Sequence, residues 1–259
     1  LALIIMPVWD TEENGRSWMT ERVVGRILQT VDMSRHRLVI VDNGSCDRTR
    51  DILANVGTSF AEVIRNEENR GVAYACNQAL SLRQPGEVVI KMDNDCLIHE
   101  STSWADQLEE CIRLRPDLGI LGLKRPDLGE WPLKPVGDPE RTTLIPLPHS
   151  PGSRFYVIER VGWLMIGTCT ALNPAMLDKI GYYWHTGTYG HEDSILAARS
   201  KAAGFINAYL PSIRIEHLEE SDTPYKSWKL SHAQEHANEA VATMNGILAG
   251  KLPYYRDWP

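Results

Sequence analysis

Three short stretches of this sequence place ionisable side chains where chemistry could use them. Asp93-Asn94-Asp95 sets two carboxylates one residue apart, directly after the run Val88-Val89-Ile90-Lys91-Met92. Hard divalent cations take oxygen ligands and often bind through one or two carboxylates plus a substrate phosphate. The same tripeptide also reads as a polar turn whose side chains satisfy loose backbone groups. His217 closes Arg214-Ile215-Glu216-His217. Alone it is a polar residue at a strand end; beside the acidic pair it offers a third ligand of a kind that suits manganese as well as magnesium. His191-Glu192-Asp193 opens a helical pattern. Acidic residues there are stabilised by the helix dipole and its free amides, and the same placement keeps Asp193 ionised for work as a general base. Asp42-Asn43-Gly44-Ser45 is either a strand-to-helix turn or a nucleoside contact through Asp42. Asn69-Arg70-Gly71 is either a plain loop or a place where glycine lets the backbone approach a ligand.

The elements that must carry these residues alternate. Residues 3–8, 38–41, 60–65, 87–92 and 119–123 read as strands, the first a continuous apolar run of the kind buried on both faces. Between them lie helical patterns: one from Ser17, which can cap it, one to about Val56, one over 71–82 and one over 101–115. This rhythm predicts a mostly parallel open sheet covered by helices. Ligands of such sheets sit outside the carboxyl ends of the strands, so the loops after Val8, Val41, Arg65 and Met92 should converge. The proline-rich stretch 125–153 reads as a long loop or mobile insertion. Beyond it, 156–170 reads as strands, 174–180 as a helix from an Asn-Pro step, 191–203 as a helix, 205–209 and 212–215 as two strands, and 225–248 as a helical tail.

Composition narrows the class. At 259 residues with 43% apolar content the chain can bury a sizeable core. A net charge of −7 argues against a bulk nucleic-acid binder. The five cysteines include no CxxC pair, which suggests neither a disulfide framework nor a zinc site and fits a reducing, cytoplasmic setting. No apolar run approaches the ~20 residues of a membrane helix, and residues 1–8 lack the basic leader of a signal peptide. The P-loop, the dinucleotide fingerprint and the GxSxG elbow are all missing.

In order along the chain, five segments resemble the GT-A glycosyltransferases, above all the inverting family 2. They are Val41-Asp42-Asn43-Gly44-Ser45-Cys46-Asp47-Arg48-Thr49, Asn69-Arg70-Gly71-Val72-Ala73-Tyr74-Ala75-Cys76-Asn77, Asp93-Asn94-Asp95, Gly190-His191-Glu192-Asp193-Ser194 and Ile213-Arg214-Ile215-Glu216-His217. The resemblance implies a GT-A α/β domain over 1–220, its nucleotide-binding half 1–123 and its acceptor-binding half 124–220, with a helical extension over 221–259. It implies a metal-dependent inverting transfer of sugar from a nucleotide diphosphate donor, with UDP favoured, to an acceptor hydroxyl, with Mn2+ or Mg2+ as cofactor. Asp42 would contact the base, Pro7, Val8 and Trp9 would line its pocket, and Asn69, Gly71 and Asn77 would lie near the nucleoside. Asp93 and Asn94 would face the ribose or donor sugar, while Asp95 and His217, with Asp93, would hold the metal. Asp193 matches the catalytic base, with Glu192 binding hydroxyls beside it. Two departures stand out: histidine precedes Glu192-Asp193, and Tyr182-Tyr183-Trp184 replaces a Phe-Asp-Glu-like turn. The aromatics at 182–189 either stack on an acceptor ring or pack the core. Residues 125–153 and the region after His217 are the two candidate lids.

Two other readings compete. A sugar nucleotidyltransferase would carry a basic glycine-rich loop after the first strand, where this chain has the acidic Trp9-Asp10-Thr11-Glu12-Glu13-Asn14. A non-catalytic nucleotide-sugar or glycan-binding module would not need both acidic motifs and His217. The acceptor is unidentified, and the acidic balance disfavours a nucleic acid in that role.

Overall fold

The structure is a computed structural model, which describes residues 1–56, 60–99, 103–124, 142–149, 153–160, 165, 167–184, 187, 189–218 and 223–258. The first half follows the expected alternation: β1 (Ala2–Val8), α1 (Ser17–Thr30), β2 (Arg37–Asn43), α2 (Asp47–Val56), β3 (Glu62–Asn66), α3 (Val72–Leu80) and β4 (Val88–Met92). β1 pairs in parallel with β2 and with β4, and β2 pairs in parallel with β3. Successive side chains of a strand point to opposite faces, and β1 shows it. Ile4 and Met6 join the core beneath α1, while Leu3 and Ile5 join the core beneath α3. Both faces are covered, so the strand has no polar side to show.

The second half contains β5 (Cys96–Ile98), α4 (Trp104–Leu114), β6 (Leu118–Lys124), β7 (Thr142–His149), β8 (Ser153–Arg160), β9 (Cys169–Leu172), α5 (Pro174–Ile180), α6 (Glu192–Ala202), β10 (Ile206–His217) and α7 (Pro224–Leu248). All the strands form one sheet, ordered β3-β2-β1-β4-β9-β6-β10-β8-β7, with β5 paired to β10. β9 runs antiparallel between β4 and β6 and so joins the two halves through a common core. All five cysteines are free. Among the described residues no helix is long and apolar enough to cross a membrane.

Three expectations need correction. Ser17 does not cap α1; Arg16 holds that position, and the Ser17 hydroxyl sits 2.7 Å from that of Thr49. The stretch 125–153 is not all loop, because β7 pairs with β8 along its whole length, from Thr142↔Arg160 to His149↔Ser153. Its Pro146 and Pro148 are tolerated because β7 is the last strand of the sheet, where one row of N–H groups has no partner strand to serve. The remainder, 125–141, lies outside the described residues, as does any lid there. Residues 206–217 form one strand, whose register shifts between Leu210 and Arg214 where it crosses Pro211. The three-residue β5 has no counterpart in the sequence reading.

Candidate active site

The first four strand ends do converge. Pro7, Val8 and Trp9 at the end of β1, Asn43 at the end of β2, Asn69 after β3, and Asp93, Asn94 and Asp95 after β4 line one cleft. It opens to solvent, and about 640 Å³ free of protein atoms, part of it bulk solvent, lies between these residues. Arg16, Tyr189, Glu192, Tyr225, Trp228 and Lys229 complete it.

β5 explains how His217 reaches the acidic turn. Its antiparallel ladder sets Cys96 opposite His217 and Ile98 opposite Ile215. The Leu218 amide then donates to the Asp95 carbonyl at 2.8 Å. As a result His217 Nε2 lies 3.4 Å from Asp95 Oδ2. Arg16 Nη2 donates to the same oxygen at 2.6 Å, with both side chains about 95% buried. Burial opposes the Asp95 anion, but His217 and Arg16 outweigh it and hold this carboxyl well below the usual range. Asp95 Oδ1 is buried with no hydrogen-bond partner among the described residues. Asp93 turns the other way, its Oδ1 2.5 Å from Lys91 Nζ, which also donates to the Gly167 carbonyl at 2.8 Å. Burial works against the Lys91 ammonium, and the charge of Asp93 more than restores it.

A carboxylate with one orphaned oxygen, Oδ1, and an imidazole against its other oxygen is a donor set that fits Mn2+ or Mg2+. Asp95 and His217 are the near pair, with Asp93 held aside by Lys91. One trio of tighter geometry, His36 with Asp106 and Glu109, is found at the opposite end of the sheet. There His36 Nδ1 accepts from the Ala2 amide at the start of β1, and Arg35 and Arg113 already neutralise the carboxylates. That trio is an ion-pair network remote from the cleft.

The α6 carboxylates have different surroundings. Asp193 is half-buried; its Oδ2 accepts from the Gly167 amide at 2.8 Å and its Oδ1 from the Ser194 amide at 2.7 Å. Glu192 is buried, and its Oε2 has no hydrogen-bond partner among the described residues. Burial, then the neighbouring Asp193 charge, push its carboxyl up to about 7. Both residues line a second cavity with Lys91, Thr168, His217 and Lys226. It shares Asp93, Tyr189, Glu192 and Lys229 with the first. The metal-competent pair and the candidate base thus face connected space.

The part of the cleft expected to take a nucleoside is organised differently from expectation. Asp42 is fully buried, its Oδ1 accepting from the Ser45 amide at 2.8 Å and its Oδ2 lacking a hydrogen-bond partner among the described residues. Its neighbour Asn43 faces the cleft and bonds Asn69, Gly71, Asn66 and the Arg70 amide. Gly71 shapes this loop at φ 90°, a conformation that favours glycine. Asn77 lies off the cleft: both ends of its amide are taken by the backbone of Tyr183. Asn94 is buried and donates to Asp10 and Thr20, so it braces the acidic turn from beneath. Asp10, fully buried, also accepts from Thr20 at 2.6 Å. Burial raises its carboxyl above the ordinary value.

Of the aromatics at 182–189, Tyr183 is buried in the core and Trp184 packs beside the α6–α7 contact. Tyr189 lines the cleft, 5.8 Å from Trp228. Trp228 in turn lies 5.0 Å from Trp9 and is stacked on Tyr225 at 5.7 Å. The region after His217 therefore contributes a wall, α7, that the sequence reading had only as a possible lid. Arg16, Lys91, Gly167, Tyr225, Trp228 and Lys229 are site residues the sequence did not single out. Lys91 alone carried a signal, a charge inside an apolar strand.

Residues 4–181 match the family described as glycosyl transferase family 2. A curated relative, glycosyltransferase AglE of Haloferax volcanii, is 27% identical over 106 residues, which cover 40% of this chain. The match spans a third (33%) of that relative's length. Among solved structures, the mannosyltransferase PcManGT of Pyrobaculum calidifontis, in complex with GDP-Man and Mn2+, superposes with a TM-score of 0.61 at 17% identity. That likeness covers 96% of this chain and 74% of the other. TarS of S. aureus gives 0.60 at 17% identity, over 97% of this chain and 43% of its own. GalNAc-T7 with UDP, GalNAc and Mn2+ gives 0.61 at 15% identity, over 86% and 44%. At these identities the structural likeness is one of fold.

Proposed function

Because the chain belongs to glycosyl transferase family 2, we propose that it transfers a sugar from a nucleoside diphosphate donor to an acceptor hydroxyl with inversion. The observation that carries this reading is the placement of Asp193. Two backbone amides fix its carboxylate, which faces space continuous with that around Asp95 and His217. In the proposed reaction the acceptor oxygen forms a bond to the anomeric carbon as the bond to the diphosphate oxygen breaks. Asp193 takes the hydroxyl proton, and the nucleoside diphosphate leaves. Asp95 and His217, with Asp93 nearby, would hold Mn2+ or Mg2+, which when bound neutralises charge on the diphosphate. Lys229 adds fixed positive charge to the same cleft. Trp9, Asn43, Asn69 and Val72 form the nucleoside end, and α7 with its aromatic face belongs to the catalytic unit. A uridine base is favoured by the resemblance to family 2. Neighbours solved with GDP-Man and with UDP make the choice of base an experimental matter.

The test is thermal stability with UDP, GDP, CMP or ADP, each with and without Mn2+, on the native chain and on Asp95→Ala. A ligand that binds only the folded state at a hundredfold excess over Kd adds about 2.7 kcal/mol. Metal-dependent stabilisation by one nucleotide, lost in Asp95→Ala, is the expected result. No shift with any nucleotide would overturn the donor assignment.

A further inference from the structure

Arg16 occupies an unusual position for a cation beside a metal carboxylate. It stands at the start of α1, its guanidinium nearly fully buried, donating to Asp95 Oδ2 at 2.6 Å. His217 Nε2 approaches the same oxygen at 3.4 Å. The other side of the guanidinium lies over the Tyr225 ring of α7, 4.5 Å from its centroid. Arg16 and Asp95 both line the donor cleft, with Lys229 beside them.

Two physical facts bear on this arrangement. A divalent cation on Asp95 would face the fixed positive charge of Arg16 at contact distance in a buried setting, where repulsion is poorly screened. A guanidinium also presents a planar fork of donors that matches a phosphate as well as it matches a carboxylate. We propose that Arg16 is an exchangeable counter-ion, neutralising Asp95 in the ligand-free protein and passing its guanidinium to the donor diphosphate when a divalent cation takes Asp95. This rests on the metal-dependent reading above and adds coupling to it. Arg16 makes the cation a weak ligand alone and a strong one together with the nucleotide. The Tyr225 ring gives the guanidinium a second support on the cleft side, so release from Asp95 does not leave it without contact.

Mn2+ binding, followed by loss of the free-ion signal in electron paramagnetic resonance, tests this without any turnover. Arg16→Gln should bind Mn2+ alone at least tenfold more tightly than the native chain. At saturating Mn2+ it should bind UDP, with GDP run in parallel, at least tenfold more weakly. Arg16→Lys keeps the charge without the fork. It should leave the affinity for Mn2+ alone within about threefold of native and still weaken nucleotide binding, which keeps the test decisive should Arg16→Gln fail to fold. If the native chain takes up Mn2+ with nucleotide but Arg16→Gln shows unchanged affinities, the exchange is wrong and the metal reading stands. If neither protein takes up Mn2+ with UDP or GDP, the metal reading fails and the exchange with it.

Discussion

Glu192 and Asp193 are adjacent in the chain and opposite in environment. Asp193 has two amide donors, while Glu192 has an oxygen with no hydrogen-bond partner among the described residues and a carboxyl pushed up to about 7, chiefly by burial, from an ordinary value of 4.5. Between those two values the folded protein holds a proton that the unfolded chain has released. Glu192 therefore makes the fold lose stability as pH rises from about 4.5 to about 7, by on the order of 3 kcal/mol once above that window. Glu192→Gln should remove that slope. Chemical denaturation across a pH series should find the variant more stable than native at pH 8 and equal to it near pH 4.5. For Asp193, replacement by Asn keeps the shape and removes the base, so kcat should fall by about 10²- to 10⁴-fold with nucleotide affinity unchanged. Gly167 offers a geometric version of the same test. A Cβ there would stand 2.7 Å from the Cβ of Asp193, forcing the carboxylate out of line. Gly167→Ala should lower kcat by about a hundredfold, the scale of an ångström-sized misplacement.

At the scale of elements, legibility depended on how local each signal is. Asp95 and His217 could be singled out because one follows and the other ends a strand with a plain apolar signature, and Asp193 because it opens a helix. What brings the first two together, β5, is only three residues long and has no period to detect. β7 was hidden by prolines that only an edge position excuses. Arg16, Tyr225, Trp228 and Lys229 reach the cleft through the docking of α1 and α7, which no residue pattern in either segment specifies. Asn77 misled because its amide suits a ligand and a backbone equally, and Tyr183 took both ends. Arg199 shows a comparable long-range contact. Buried on α6, it donates to the carbonyls of Ile180, Tyr182 and Tyr254, and so ties α5 and the C-terminal segment to the helix that carries Asp193. Burial, and then the nearby Arg256 charge, bring it down to about 9, which leaves it a cation at neutral pH. Arg199→Met leaves those carbonyls without their donor and should lower stability by about 2–4 kcal/mol in denaturant titration.

Across the whole molecule, the sheet ends form the floor of the cleft and α7 forms a wall. α7 packs on α6 through Ile195 and Ala198 against Ala240, Met244 and Ile247, while its first turns present Tyr225, Trp228 and Lys229 to the cleft. A ligand held between floor and wall restrains both. Amide hydrogen exchange in the first two turns of α7 should therefore slow on addition of UDP and Mn2+ by at least tenfold, and the distal turns near Met244 should change little. The junction between α7 and α6 has a mechanical meaning. His191 is a non-glycine residue at φ 67°, and its Nε2 lies 2.8 Å from the Ala233 carbonyl of α7. Gly190 beside it, at φ 96°, sits close against the helix: a Cβ there would lie 3.2 Å from the Cβ of Ala233, so α7 would have to give by a few tenths of an ångström. The residue that opens α6 is thus latched to the wall, so an outward swing of α7 tugs on the backbone immediately before Asp193. In the proposed reaction a displaced α7 would hold Asp193 out of line, so Asp193 would take the acceptor proton only with the wall seated on the cleft.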